Sequence, residues 1–550
     1  MIYNVKNVPK EIEYRFGKKP IDEYIKIHAS RVPDKTAIIY YGTEITYKEL
    51  DDYIDRTATL FAKLGVKKGD VVSIFMQNCP EFMFAFFGAQ RLGAIAAPFN
   101  PMFKEFDIEL DVNELKSKVI VTNSYLYPIV KNVRDKTTLE HILIVPLNEF
   151  MPEEPEIPYT FDFFEPDSFD DSIMFLEAIK NIEPNVPKVK RDLLDTAFIL
   201  FTSGSTGLPK GALLTYEGTI AKNAALSQWY YHHEHETWLQ SHLMCHIIGM
   251  YPMNVNIYNG STVAIICQMT KEVVAAAIDK YKITTWYSSS LLVQNLIEWE
   301  DINKYNLCNL RFTSSTSYSV QTSKELADQW DKLTGGGQLV EFGYGLTESQ
   351  TLDAMQPRER PKYGIGCQGF PAVPEFLIRI VDEKGKECGP EQSGEILLKN
   401  PGVMKGYLNS PEKTADTIID GWLHTGDTGR RDEEGYLYWM GRRKEMIKTS
   451  GFSVFPEEVE SYIDRHEAVA KSAIIGKPDE RRGDNIKAFV VLNNEYKGKI
   501  TEQEIIDWCK ERMAKYKVPR ELEFRDSIPY GNTGKLLRRV LLDEEIQKCR

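Results

Sequence analysis

Between residues 36 and 145, short apolar runs alternate with longer stretches in which apolar positions recur at helical spacing. Thr36–Tyr41 and Val71–Met76 have the length and composition of strands, whereas Tyr47–Leu64 and Glu81–Leu92 read as helices. Such alternation predicts an α/β fold, with a parallel sheet covered by helices. Leu147–Pro187, rich in Pro, Asp, Glu and Phe, reads as a loop-rich connector. A second α/β run extends from Asp195 to about Asn309, and Phe370–Asn400 shifts to short β segments separated by Gly and Pro turns. After Gly435 comes a charged bend, Gly441–Lys448. Beyond it the pattern predicts a small α+β unit: helix Glu457–His466, strands Ala468–Gly476 and Ile486–Asn493, and helix Gln503–Ala514. A domain boundary is therefore expected at the bend, separating residues 1–441 from 442–550. No internal repeat or low-complexity tract interrupts this order.

Bulk composition narrows the partners. The 550 residues are 42% hydrophobic and 27% charged, as in globular proteins. A net charge of −13 argues against nucleic acid as the main partner, which needs a basic face, but leaves room for small phosphorylated ligands. The first residues lack the apolar core of a secretion signal. The longest apolar stretch, Met83–Gly88, is far too short to span a membrane. Eight scattered cysteines without a C-x-x-C pair read as free thiols, and the cytoplasm is the expected location.

The sharpest local chemistry is Leu200-Phe-Thr-Ser-Gly-Ser-Thr-Gly-Leu-Pro-Lys-Gly211, which follows the apolar strand Ala197–Phe201. Gly204, Gly207 and Gly211 permit close backbone approach, and Thr202, Ser203, Ser205 and Thr206 supply hydroxyls. Lys210 adds a cation, so the loop suits phosphates. A Walker A loop is excluded because Gly211, not Ser or Thr, follows the lysine. A bare Gly/Ser linker would need neither the preceding strand nor the lysine.

Together with eight further motifs, this loop resembles the adenylate-forming superfamily of acyl-CoA synthetases, luciferases and peptide-synthetase adenylation domains. The motifs are Thr46–Leu50, Tyr344–Glu348, Ser393–Glu395, Gly406–Tyr407, Trp422–Asp427, Gly441–Lys448, Ser450–Gly451 and Gly534–Lys535. They fall in family order over nearly the whole chain. The resemblance implies a large N-terminal domain of α/β subdomains plus a small β subdomain, hinged near Lys444 to the small C-terminal domain. It also implies an enzyme that uses ATP, Mg²⁺ and coenzyme A to convert a carboxylic acid first to an acyl-adenylate and then to a thioester.

On this resemblance, Thr202–Lys210 holds the β- and γ-phosphates. Glu348 binds Mg²⁺ with help from Thr202, oxygen ligands that suit a hard cation. Thr347 meets the α-phosphate, Tyr344 lies against adenine, and Asp427 with Arg442 holds the ribose. Lys535 bridges carboxylate and α-phosphate during adenylation. Rotation about Lys444 then replaces it with a face bearing Lys448 and Gly451, where pantetheine passes. His246, Gly345, Trp286 and Ser315 are expected to line the acid pocket, with Tyr287 and Ser288–Leu292 beside Trp286.

Gly345, where acetyl-specific relatives carry tryptophan, favours a medium- or long-chain fatty acid. The departure Ser314–Ser319 from the family's Gly-Gly-Ala-Pro-like stretch leaves an alicyclic or aromatic acid open, and the reversibility of the chemistry leaves net flux toward ATP open. Arg481-Arg482 is a candidate for the nucleotide end of coenzyme A. The His-rich stretch Tyr231–Glu236 reads as a solvated loop without metal-ligand spacing. A peptide-synthetase domain is disfavoured because Ser241–Tyr251 lacks an aspartate. A non-catalytic nucleotide-binding protein would be expected to lack Glu348 or Lys535. The partners are thus the acid, ATP and coenzyme A, acting on a monomer or homodimer.

Overall fold

A computed structural model describes the chain apart from residues 1–8, 162–165, 167, 204–208, 317–321, 365, 443–446, 455, 480–482, 530–535, 537 and 549–550. It divides into two compact units. The larger holds residues 1–101, 112–200 and 211–441; the smaller holds 102–111, 201–210 and 442–550.

Two seven-stranded sheets dominate the larger unit. One runs, edge to edge, through Gln338–Glu341, Phe312–Thr316, Thr285–Ser289, Thr237–Gln240, Thr262–Ile265, Thr36–Tyr40 and Thr43–Thr46. Its strand pairs are parallel except the terminal hairpin. The other orders Ile173–Met174, His141–Val145, Val119–Asn123, Val71–Phe75, Ile95–Phe99, Thr196–Ser203 and Pro209–Thr215. A third, antiparallel sheet of six strands is built from residues 367–442.

Three expectations shift here. The second α/β run continues past Asn309, through the strand Phe312–Thr316 and the helix Lys324–Thr334, to Glu341. Thr36–Tyr40 joins the sheet of that later run, where Ile38 pairs with Val263, and not the sheet of its sequence neighbours. The connector also contributes an edge strand, Ile173–Met174, and a short helix, Phe175–Lys180.

Local sequence accounts for several joints. Thr46 and Glu49 form a capping box that starts the helix Tyr47–Lys63, and Tyr47 Oη donates to the Ser261 carbonyl at 2.7 Å. The first family-like motif is therefore a helix start. The helix Pro80–Arg91 is buried at every position. Its Arg91 meets Asp55 at 2.7 Å and Asp51 at 2.8 Å, while Arg191 meets the fully buried Asp22 at 2.6 Å. Charges this deep persist only in pairs.

The smaller unit is a five-stranded sheet of Phe452–Val454, Ile447–Thr449, Gly483–Leu492, Val469–Asp479 and Glu521–Phe524, with the helices Pro456–Ile463, Glu502–Arg512 and Arg538–Lys548. Buried Asp107 fixes residues 102–111 within it, accepting from Tyr462 Oη at 2.7 Å and Lys517 Nζ at 3.1 Å. Among the described residues no helix is long and apolar enough to cross a membrane, and every described cysteine is free.

Candidate active site

Residues 343–355 form a narrow hairpin with an unusual tip. Gly343–Tyr344 pairs antiparallel with Ala354–Met355, and Thr347–Ser349 makes one 3₁₀ turn. Gln350, Thr351 and Leu352 then all have φ between 55° and 57°. Left-handed backbone costs an L-residue roughly 1–2 kcal/mol, most for a β-branched side chain such as Thr351. The turn is held by Thr351 N donating to Leu346 O at 2.7 Å and Asp353 N to Tyr344 O at 2.8 Å. A Cβ on Gly345 would lie 2.5 Å from Thr351 Cα. Close backbone approach therefore demands this glycine, and its missing side chain does not by itself report on pocket depth.

The hairpin carries two of the expected ligand-binding groups. Glu348 accepts from Tyr407 Oη at 3.0 Å, and its carbonyl accepts from Met404 N at 2.8 Å. The Gly406-Tyr407 motif thus anchors the motif glutamate. Tyr344 Oη donates to Asp427 Oδ2 at 2.7 Å. Burial, with Asp427 beside it, holds this phenol well above the usual tyrosine range, so it remains a donor. Tyr344 is expected to offer a ring face; its hydroxyl also orients the carboxylate of Asp427, the expected ribose ligand. Asp427 is further set by its own N–H donating to Thr425 Oγ1 at 3.0 Å. Glu395 fixes the approach to Asp427, accepting from Gly426 N at 3.1 Å and lying 3.2 Å from His424 Nδ1.

Thr202 is the penultimate residue of the strand Thr196–Ser203, and its hydroxyl donates to Lys210 O at 3.4 Å. Gly204, Ser205, Thr206 and Gly207 lie outside the described residues, as do Lys444, Lys535, Arg481 and Arg482. Arg442 closes the strand Leu437–Arg442.

Acid-pocket candidates separate into two groups. His246 caps the helix Ile247–Asn259, its Nδ1 accepting from Ile248 N at 3.3 Å. Its imidazole reaches solvent yet is walled by protein, and that loss of water lowers its pKa. Burial, with His246 nearby, pushes His242 down to about 4. Both rings are therefore neutral near pH 7. His242 packs edge-on against Tyr287, 4.9 Å between centroids, and Tyr287 meets Phe342 at 4.5 Å.

Trp286 does not join this group. Strand alternation turns it to the opposite face, where it is fully buried, packs on Trp330 and donates to Ser241 Oγ at 3.0 Å. Tyr287 takes the side expected of Trp286. Ser315 is buried in a hydroxyl chain, 3.3 Å from Ser290 Oγ and 2.9 Å from Thr322 Oγ1, which donates to Glu341 at 2.5 Å. The His-rich stretch is more structured than a solvated loop. His232 is buried, 3.1 Å from Glu236 Oε1, and Glu236 also accepts from Trp238 Nε1.

In the smaller unit, Lys448 lies in the strand Ile447–Thr449, its N–H directed at Asp484 Oδ2 at 3.4 Å. Ser450 and Gly451, with φ of 51° and 82°, form the two-residue turn to Phe452–Val454. Beside this turn is a cavity of about 450 Å³, within the roughly 300–1,000 Å³ of small-molecule sites. Its walls include Ser450, Phe452, Lys515, Tyr516 and Arg520. Phe452 and Tyr516 stack at 4.1 Å with their planes 12° apart. The interleaved run Lys515-Tyr516-Lys517 was the available sequence signal for this site.

Residues 25–408 match the AMP-binding enzyme family, and residues 458–535 match the AMP-binding enzyme C-terminal domain. A long-chain-fatty-acid–CoA ligase of Bacillus subtilis (strain 168) is 31% identical over 98% of this chain and 97% of its own. Among solved structures, an o-succinylbenzoate CoA synthetase from Bacillus subtilis is 26% identical with a TM-score of 0.78, covering 96% of this chain and 98% of its own. A long-chain-fatty-acid–CoA ligase from Archaeoglobus fulgidus is 25% identical, again with a TM-score of 0.78, covering 95% and 100%.

Proposed function

This chain belongs to the AMP-binding enzyme family and is an acid–thiol ligase of it, and on that premise we propose that it makes acyl-CoA through an acyl-adenylate. The carrying observation is the pairing of Glu348 with Tyr407 and of Asp427 with Tyr344, which presets two carboxylates on the segments that the resemblance assigns to ATP. In the first half-reaction a carboxylate oxygen attacks the α-phosphorus of ATP and pyrophosphate leaves. Such displacement depends on placement and charge neutralisation more than on acid–base chemistry. Asp427 receives both ribose hydroxyls, as an ionised acceptor can. Thr347 and Thr202–Lys210 take the phosphates, and Lys535 bridges the nucleophile and the α-phosphate.

Magnesium, when bound, neutralises phosphate charge. Among the described residues no group of three His, Cys, Asp or Glu converges to hold a metal. Glu348 would hold it with help from Thr202, a carboxylate and a hydroxyl oxygen that suit a hard cation. In the second half-reaction the coenzyme A thiolate attacks the acyl carbon and AMP leaves. The cavity beside Ser450-Gly451 suits the nucleotide end of coenzyme A: Lys515 and Arg520 offer cations and the Phe452–Tyr516 pair a flat apolar wall. Lys448 and Gly451 lie at the pantetheine, with a hinge at Lys444.

A medium- or long-chain fatty acid is the acid best supported, by the names of the relatives. An aromatic acid is the second reading, favoured by the o-succinylbenzoate neighbour and by the hydroxyl-rich strand at Ser314–Thr316. A cytoplasmic location completes the reading.

The test supplies ATP, Mg²⁺, coenzyme A and single carboxylates, from acetate to palmitate with benzoate and cyclohexanecarboxylate. AMP and one thioester are expected to rise together; ADP, or no turnover with any acid, would sink the reading. Lys535→Ala should lose adenylation by orders of magnitude yet retain thioester formation from pre-made adenylate.

A further inference from the structure

The strained tip at 347–352 is gripped from one side by a single helix. Thr215, Thr219 and Lys222 fall at helical spacing at the start of Tyr216–Tyr230, directly after the strand that leaves the phosphate loop. Thr215 O accepts from Gln350 Nε2 at 3.3 Å, and Thr219 Oγ1 donates to Gln350 Oε1 at 2.9 Å. Lys222 Nζ, almost without solvent contact, donates to the fully buried Asp353 Oδ1 at 2.7 Å. Asp353 in turn accepts from Ser349 Oγ at 2.5 Å, the residue beside Glu348, and from Asn400 Nδ2 at 2.8 Å. Ser349 Oγ also accepts from Leu346 N, so the chain Lys222–Asp353–Ser349 closes on both ends of the 3₁₀ turn. Packing fixes the lysine as well: a Cβ on Gly402 would overlap Lys222 Cε, and Nζ lies 4.3 Å from the Phe376 ring centroid.

A buried ion pair is a weak means of adding stability, because an apolar pair of similar size does as well or better. What this pair adds is direction, since it holds one hydroxyl on one face of the turn. We infer that Lys222 is a positioning residue for adenylation: through Asp353 and Ser349 it fixes the Thr347–Glu348 turn against the helix that follows the phosphate loop. The inference rests on the reading that Glu348 and Thr347 meet the nucleotide.

The experiment measures ATP–pyrophosphate exchange against Mg²⁺ concentration, thioester formation from pre-made adenylate, and thermal unfolding. Lys222→Met should lower exchange roughly 10- to 100-fold, the scale of a small misplacement at a reacting centre. It should also raise the Mg²⁺ needed for half-maximal exchange while thioester formation stays unchanged. The double variant K222M/D353L removes both charges and should regain unfolding temperature without regaining exchange; exchange returning together with stability would reduce the pair to a structural role. If Lys222→Met does not fold, Ser349→Ala, which deletes only the last link, should give a smaller shift in the same direction. A folded Lys222→Met, or failing that a folded Ser349→Ala, with parental exchange and Mg²⁺ dependence overturns the inference. Glu348→Gln separates the two levels. Normal exchange in that variant would remove the reading of the turn, whereas loss there beside normal Lys222→Met would remove only the role of Lys222.

Discussion

The turn at 344–353 and the cavity beside Ser450 differ in almost every physical respect. In the turn, Tyr344, Ser349, Gln350 and Asp353 are buried, three consecutive residues sit in left-handed backbone, and an ion pair is sealed beneath. In the cavity, Lys515 and Arg520 are exposed and the recognition surface is a stacked aromatic pair. A group that must meet charge developing at one phosphorus atom benefits from dipoles fixed in advance. A site that grips the far end of a long cofactor needs only attraction and a flat wall. The difference teaches that strain and buried polarity concentrate where placement governs rate.

The contrast can be broken in order of effect. Asp427→Asn and Glu348→Gln should each lower ATP–pyrophosphate exchange by roughly 100-fold or more, with the cavity's function untouched. The double variant K515A/R520A should instead raise the KM for coenzyme A about tenfold, more at low salt than at high, and leave exchange at the parental rate. If it lowers exchange equally, the division of labour fails. Phe452→Ala should raise the same KM severalfold by removing one ring of the stack. Thr351→Gly should relieve left-handed strain and raise stability by about 1 kcal/mol, measured by thermal unfolding. Activity should fall slightly as the turn loosens; a destabilised variant would mean that the threonine side chain contributes more than its strained backbone costs.

The smallest effect concerns protons. His242 is held neutral, its pKa lowered by burial from 6.5 to about 4. The folded state therefore binds fewer protons than the unfolded chain between these values. This histidine's contribution to stability is complete above pH 6.5 and lost as pH falls toward 4. His242→Gln should flatten that part of the stability–pH curve; an unchanged slope would show that the ring is not desolvated.

Much of this molecule was legible in its sequence. The strands and helices that periodicity singled out fall within a few residues of the observed ones, because apolar spacing reports which side of an element is buried. The motif residues Tyr344, Glu348, Tyr407 and Asp427 were visible as a set through the family resemblance alone, because the bonds that join them span 83 and 59 positions. Tertiary structure alone decided the rest. Only the assembled sheet shows that Thr36–Tyr40 pairs with Thr262–Ile265, and that Trp286 and Tyr287 face opposite ways with Tyr287 beside His242. Only the fold shows that Gly345 serves a backbone contact with Thr351. Lys222 and Asp353, 131 positions apart, carried no signal in a linear reading. A lysine on a helix ordinarily keeps its charge in water, and what buries this one, together with the carboxylate that meets it, is decided by how distant segments pack.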